Sequence, residues 1–242
     1  AQGYRVVRFD NRDIGLTDKM NGIRAPSFLR LLLNHYLGIP VSAPYSLNDM
    51  AADTVGVMDA LDVKQAHIVG MSMGGMISQL VAGLYPDRIL SLTSIMSTSG
   101  EWGKGVASLK VARQMTKATS KNRTALDNSV ETWRIIGSPA YPMSDELVRA
   151  QLIAEHKRSN YPAGYMRQIA AIRTAPGRAK LLQTIKDSET ILSVFAGRIY
   201  ECGIDAKKEM KDINKLIKEN SRCQSLWAST RMTYDYIAAK EV

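Results

Sequence analysis

The chain is 242 residues long, 45% hydrophobic and 23% charged, enough for one sizeable core with an insertion or appendage. Its composition excludes disordered, collagen-like and coiled-coil classes. Thirty-two basic against 23 acidic side chains leave +9, but residues 1–100 hold eight of each sign, residues 187–242 nine of each, and residues 101–186 fifteen basic against six acidic. The charge that would suggest a polyanionic partner is therefore confined to the middle third.

In chain order, strand-like and helix-like segments alternate over the first hundred residues, which predicts a mainly parallel sheet wound with helices, an α/β architecture. Tyr4 to Phe9 is rich in β-formers and ends at Asp10, Asn11, Arg12 and Asp13, followed by Gly15, as a strand running into a loop does. The richest apolar run, Phe28 to Leu33, is broken by Arg30 and is far short of a membrane span. Ser46 and Asp49 have capping-box spacing, and Leu47, Met50, Ala51, Val55, Met58 and Leu61 follow at a helical period. Ala66 to Val69 is a short apolar strand. Gly70-Met71-Ser72-Met73-Gly74-Gly75 turns it into a helix carrying Ile77, Leu80, Val81 and Leu84, which Pro86 stops before a buried strand over Ile89 to Met96. Ser144, with Asp145 and Glu146 behind it and Lys157 and Arg158 at the far end, brackets a further helix. Thr190 to Gly197 has strand character, and Asp205 to Asn220 reads as a charged amphipathic helix with Ile213, Leu216 and Ile217 on one face. Cys202 and Cys223 are too few for a disulfide framework and lack metal-ligand spacing, which predicts free thiols and a cytoplasmic setting. The chain opens on Ala1 rather than Met, as a sequence missing its native start would.

Gly70-x-Ser72-x-Gly74 between a strand and a helix is the most informative feature. A serine on such a turn sits exposed at the carboxyl edge of the sheet. Gly70 and Gly74 are expected to let the backbone bend and the helix approach the strand, where a side chain would obstruct both. The helix that follows points its N-terminus at the serine, so the Met73 N–H and the positive dipole end can stabilise an oxyanion on an acyl substrate. The alternative is a glycine-rich structural turn.

These segments resemble the α/β-hydrolase superfamily, in its serine esterase and lipase-like, methylesterase-like bacterial branch. The resemblance covers roughly Gly3 to Lys186. GYRVVRFDNRDIGLTD (Gly3 to Asp18) resembles the fourth strand and its loop, with Asp10, Arg12 and Asp13 in a motif supporting the turn. HIVGMSMGGMISQLVAGLYPDRILSLTSIMS (His67 to Ser97) resembles the fifth strand, nucleophile elbow, helix and sixth strand. RIIGSPAYP (Arg134 to Pro142) and YPAGYMRQIAAI (Tyr161 to Ile172) are similar to lid segments. The resemblance implies a doubly wound sheet, here incomplete, with residues 1–100 as partial core, 101–186 as helical lid and 187–242 as a divergent, mostly helical terminus. It also implies Ser72 as nucleophile on a small or medium carboxylic ester. Serine at this position makes epoxide-hydrolase or dehalogenase chemistry unexpected.

A serine needs a histidine base and an orienting acid, in this fold in the order Ser, acid, His. The three histidines are His35, His67 and His156. Only His156 follows Ser72, in a lid helix where a solvated residue is the alternative to a relocated base. Glu101 would then be the acid by chain order. The family instead places its acid after a seventh strand, where Glu201 or Asp205 would stand, and no histidine follows either. The second oxyanion donor of the family belongs upstream of Tyr4. The chain is thus expected to be either a fragment joined to unrelated terminal sequence or a degenerate hydrolase, because loss of the base alone costs on the order of 10⁶ in turnover.

Two readings follow: a serine ester hydrolase by descent, and a non-catalytic protein that holds a ligand in the hydrolase pocket or under a basic lid. Nucleic-acid binding has only the charge in its favour, without zinc spacing, helix-turn-helix or aromatic-interleaved basic motif. No metal or cofactor is expected, since Ser72 occupies the second glycine position of any G-x-G-x-x-G.

Overall fold

The computed structural model describes residues 5–101, 114, 124–137, 143–187 and 192–195. Helix α1 (Phe28–Leu37) starts where the Ser27 hydroxyl accepts the Arg30 N–H. It ends at Gly38, whose φ of 67° is the left-handed closing geometry. Nothing in the apolar run alone marks it as a helix; these two caps do. Helix α2 (Leu47–Ala60) carries the expected capping box, with the Ser46 hydroxyl accepting from Asp49 N–H and the Asp49 carboxylate accepting from Ser46 N–H at 2.7 Å. It buries Leu47, Met50, Ala51, Thr54 and Met58, close to the stripe its sequence draws.

Strand β1 (Ala66–Met71) leads through Ser72 into α3 (Met73–Leu84), a 3₁₀ turn at Pro86–Arg88 and strand β2 (Ile89–Ile95). Helix α4 (Ala125–Ile136) is opened by a second capping box, Thr124 with Asp127. Helix α5 (Asp145–Arg158) opens at Ser144 as its sequence predicts. Helix α6 (Pro162–Thr174), the short α7 (Ala179–Gln183) and a 3₁₀ turn over Thr184–Asp187 precede strand β3 (Leu192–Phe195), inside the strand-like stretch Thr190 to Gly197.

The strands form one parallel sheet in the order β1-β2-β3, with Ile68 opposite Leu92, Gly70 opposite Ser94 and Ile95 opposite Phe195. Helix α3 packs on this sheet and α2 packs on α3. Leu47, Met50, Ala51, Ile77, Leu80, Val81, Leu92, Ala171 and Ile185 join in one core. Each fully buried aliphatic side chain of this kind contributes about 1.5–3 kcal/mol relative to exposure. The opposite side of β1 is open among the described residues: Val69 is 66% and Met71 54% exposed. Helices cover both faces of complete parallel sheets, so this sheet is the incomplete α/β architecture expected from the sequence.

One element differs. Arg5 to Phe9 is not a strand but an exposed extended segment, held by the Arg5 guanidinium donating to Leu61 C=O. A strand exists only when its backbone groups find a ladder, and β1 pairs only with β2 among the described residues. Among the described residues the β-forming composition of this segment has no ladder to join. The helix expected over Asp205 to Asn220, both cysteines, Glu201 and Asp205 lie outside the described residues, as do residues 138–142 and most of 102–123. No described helix is long and apolar enough to cross a membrane.

Candidate functional site

At the carboxyl end of β1, Ser72 has φ 54° and ψ −119°, a backbone conformation that an L-residue holds only when its surroundings over-determine it, at a cost of about 1–3 kcal/mol. The surroundings are visible. Ser72 N–H donates to Ile95 C=O at 2.9 Å, extending the β1–β2 ladder past its last paired residue. Ser72 C=O accepts Met76 N–H at 3.2 Å and the Ser97 hydroxyl at 2.9 Å. A serine before a helix ordinarily caps it with its side chain. Ser72 makes no such bond, and the residue stands exposed. Met73 opens α3, so its N–H belongs to the first turn, which has no intrahelical acceptor.

The glycines divide differently from expectation. A methyl on Gly70 would sit 2.2 Å from Gly74 C=O and 2.4 Å from the Ser78 hydroxyl, so this glycine is what allows α3 to turn back against β1. A methyl on Gly74 would meet nothing within 4 Å. The second close approach belongs to Gly75, whose added methyl would lie 2.7 Å from the Ser94 hydroxyl and 2.7 Å from Ser97 Cβ. Position 74 therefore has room for a side chain, and Gly75 is the glycine that lets α3 seat against the end of β2.

His156 is exposed on α5, and no hydrogen bond or ion pair among the described residues joins it to Ser72. Glu101 accepts the Ala179 N–H at 2.9 Å, holding the start of α7. His67 faces Ser91 across the ladder, Nδ1 to hydroxyl 2.7 Å. The side chain of His35 lies outside what the structure describes.

Two arginines missed by the sequence reading organise the surroundings. Arg167 of α6 and Asp13 are both buried, with Nε–Oδ2 at 2.6 Å and Nη2–Oδ1 at 2.9 Å. Arg167 also donates to Ile23 C=O and to the Tyr161 hydroxyl, and stacks over the Tyr161 ring at 5.4 Å. Burial pushes the Asp13 carboxyl up, but Arg167, Met20 N–H and the Tyr45 hydroxyl together hold it below its ordinary value. Burial, then Asp13 itself, raise the Tyr45 phenol. Gly164 is required here, because a methyl on it would reach Asp13 C=O at 1.9 Å. At the surface of the same loop, Asp10 takes two bonds from Arg158 at 3.0 and 2.6 Å, and Asp53 takes two from Arg12 at 2.6 Å each.

The second, Arg178, is 3% exposed and touches α3 and the loop after β2 at once, its Nε donating to Gln79 and its Nη2 to Thr98 C=O. Its partners are too distant in sequence for any local signal to mark it. A shallow cavity lined by Asp59, Asp62, Lys64, Asp87 and Arg88 lies at the other end of β1 from Ser72 and contains none of these groups.

Compared with known proteins, residues 1–130 match the family model described as alpha/beta hydrolase fold. Among curated proteins, rhodomycin D methylesterase DnrP of Streptomyces peucetius is 30% identical over 175 residues, covering 64% of this chain and 53% of that protein. Epoxide hydrolase B of Mycobacterium tuberculosis is 29% identical over 107 residues, covering 44% of this chain and 24% of that protein. The chain thus spans about half the length of the methylesterase it matches. Among solved structures, the meta-cleavage product hydrolase CumD of Pseudomonas fluorescens superposes with a TM-score of 0.44 at 20% identity, covering 75% of this chain and 73% of that one.

Proposed function

The chain belongs to the alpha/beta hydrolase fold family, and from that premise we propose that it descends from a serine hydrolase of carboxylic esters with Ser72 as its nucleophile. The observation that carries this reading is the Ser72 backbone, φ 54° and ψ −119°, with its side chain exposed and unused as a cap. A serine held at that cost by its backbone, with a hydroxyl that does not cap the helix, is poised for another task.

In the proposed reaction the Ser72 hydroxyl adds to the ester carbonyl and passes its proton to a base. The Met73 N–H and the α3 dipole receive the oxyanion. Collapse expels the alcohol and leaves an acyl-serine, which water then hydrolyses. A methyl ester is the first substrate to try, since the similar curated protein is a methylesterase. Of the three histidines only His156 follows Ser72; it is exposed on α5, and Glu101, the acid that chain order would pair with it, accepts the Ala179 N–H.

The test is labelling by a fluorophosphonate. Ser72 is expected to react and Ser72→Ala to abolish the adduct; a folded protein that stays unlabelled overturns the reading. The exposed position of His156, with no bond to Ser72 among the described residues, favours a second reading, a non-catalytic protein binding an anionic ligand near its basic middle third. That reading expects binding that survives Ser72→Ala and weakens with salt.

A further inference from the structure

We propose that Arg178 is a positioning residue for the Ser72 turn, acting through the Ser97–Gly100 loop; the inference rests on the reading of Ser72 as nucleophile. Arg178 reaches that turn along two routes. In the first, its Nη2 donates to Thr98 C=O at 2.8 Å and its backbone N–H to Ser99 C=O at 2.8 Å. The residue before this clamped pair, Ser97, donates its hydroxyl to Ser72 C=O at 2.9 Å. In the second, Arg178 Nε donates to Gln79 Oε1 at 3.2 Å, and Gln79 Nε2 donates to the Ser94 hydroxyl at 3.1 Å. Ser94 and Ser97 are the two side chains against which Gly75 packs in the first turn of α3.

The chemistry fits an aligning role. Arg178 is 3% exposed, the acceptors of its side chain are the neutral Gln79, Thr98 C=O and Pro176 C=O, and the nearby Glu101 charge offsets only part of the burial that lowers its proton affinity. Burying a guanidinium on neutral acceptors is costly for a contact that only fills space. A planar fork, however, can address several directions at once, which an ammonium cannot. Here the directions are α3, the loop after β2 and the segment entering α7. Gly100 completes the cradle: with φ of 77°, it passes so close that an added methyl would sit 3.1 Å from both terminal guanidinium nitrogens. The residue thus ties the segment entering α7 to α3 and to the loop after β2, the two segments that hold the Ser72 turn.

The experiment separates probe binding from the covalent step, measuring KI and kinact for a fluorophosphonate on wild type, Arg178→Lys, Ser97→Ala and Arg88→Ala, with thermal melting as the fold control. Arg178→Lys is expected to lower kinact about 10- to 100-fold with KI unchanged, the size of loss a misplaced reacting group brings. Ser97→Ala, which removes only the last link, should lower kinact in the same sense. Arg88→Ala, at the other end of β1, should leave both constants unchanged. Folded Arg178→Lys and Ser97→Ala that label at the wild-type kinact overturn the inference while leaving the Ser72 reading intact. Unlabelled wild type overturns the Ser72 reading, and amide exchange at Ser72 and Met76 then decides the aligning role by itself. About tenfold faster exchange there in Arg178→Lys and Ser97→Ala, but not in Arg88→Ala, supports it; unchanged exchange overturns it.

Discussion

The middle third of the chain attaches to the rest of the molecule in two contrasting ways. Helix α6 is fixed from within: Arg167 and Asp13 are sealed together, Gln168 donates to Arg12 C=O, and Ala170 and Ala171 are fully buried. Helices α4 and α5 are joined to each other at their surface instead, and α5 meets the N-terminal loop through another exposed pair, Arg158 with Asp10. Arg134 pairs with Asp145 and Glu131, and Arg149 with Asp127, all with a third or more of at least one side chain in water. Val130 and Val148 are the buried residues each of these helices contributes. Both regions use arginine and carboxylate, so the difference is solvent. A buried pair that loses one partner strands a charge, whereas an exposed pair hands it to water.

The strongest way to break this contrast is Arg167→Met. It leaves the Asp13 carboxylate buried beside Tyr45 with its cation gone, and should cost about 3–5 kcal/mol. For a chain of this size that is a fall in Tm of about 6–20 °C, read by calorimetry. A loss of under about 1 kcal/mol would show that water reaches Asp13 and that the two regions are alike.

The pH dependence sharpens the same point. In the wild type the Asp13 carboxyl lies below its ordinary value, so its stabilisation is present above about pH 3.9 and is lost as pH falls through the lower folded value. In Arg167→Met burial acts without the cation, the carboxyl moves above its ordinary value, and protonation then relieves the variant. The stability gap between the two proteins should therefore begin to narrow above about pH 4, as pH falls through the raised value of the variant, and go on narrowing below it as the wild type loses its own stabilisation. A gap that stays constant or widens would place the cost of Arg167→Met in lost packing rather than in the stranded charge.

A smaller effect compares one device in two settings, because Ser46 with Asp49 on α2 and Thr124 with Asp127 on α4 are the same capping box. Ser46→Ala should lower global stability by about 1 kcal/mol, since α2 is part of the core. Thr124→Ala should leave the global transition nearly in place and accelerate amide exchange along α4 and α5, if that hairpin opens by itself. Equal shifts in the global transition would join the two regions into one cooperative unit.

What the sequence made legible follows the reach of its signals. The Ser46 box, the Ser144 cap, the stop at Pro86 and the turn at Ser72 are each decided within about four residues, and each stands where its spacing puts it. Arg167 meets Asp13 across 154 positions and Arg178 meets Gln79 across 99, and no local pattern announces either. The exchanged roles of Gly74 and Gly75 belong to the same class: spacing places glycines at the turn, but only the position of Ser94 and Ser97 says which one must lack a side chain. Arg5 to Phe9 fails in the opposite direction, because a strand's composition is local while the ladder it needs is not.

The smallest expected effect is Arg134→Gln. Its guanidinium reaches Asp145 at the start of α5 and Glu131 on its own helix, and both carboxylates raise its proton affinity, Asp145 first. The side chain is 56% exposed, so water replaces whatever the pair loses. The variant should melt within about 2 °C of wild type, and the remaining difference should vanish as salt is added, since screening acts on exposed charges first. Arg167→Met should keep its deficit under the same salt, because solvent ions do not enter the space between Arg167 and Asp13. A salt response of equal size in both variants would mean that burial does not distinguish the sealed Arg167–Asp13 pair of α6 from the exposed pairs of α4 and α5.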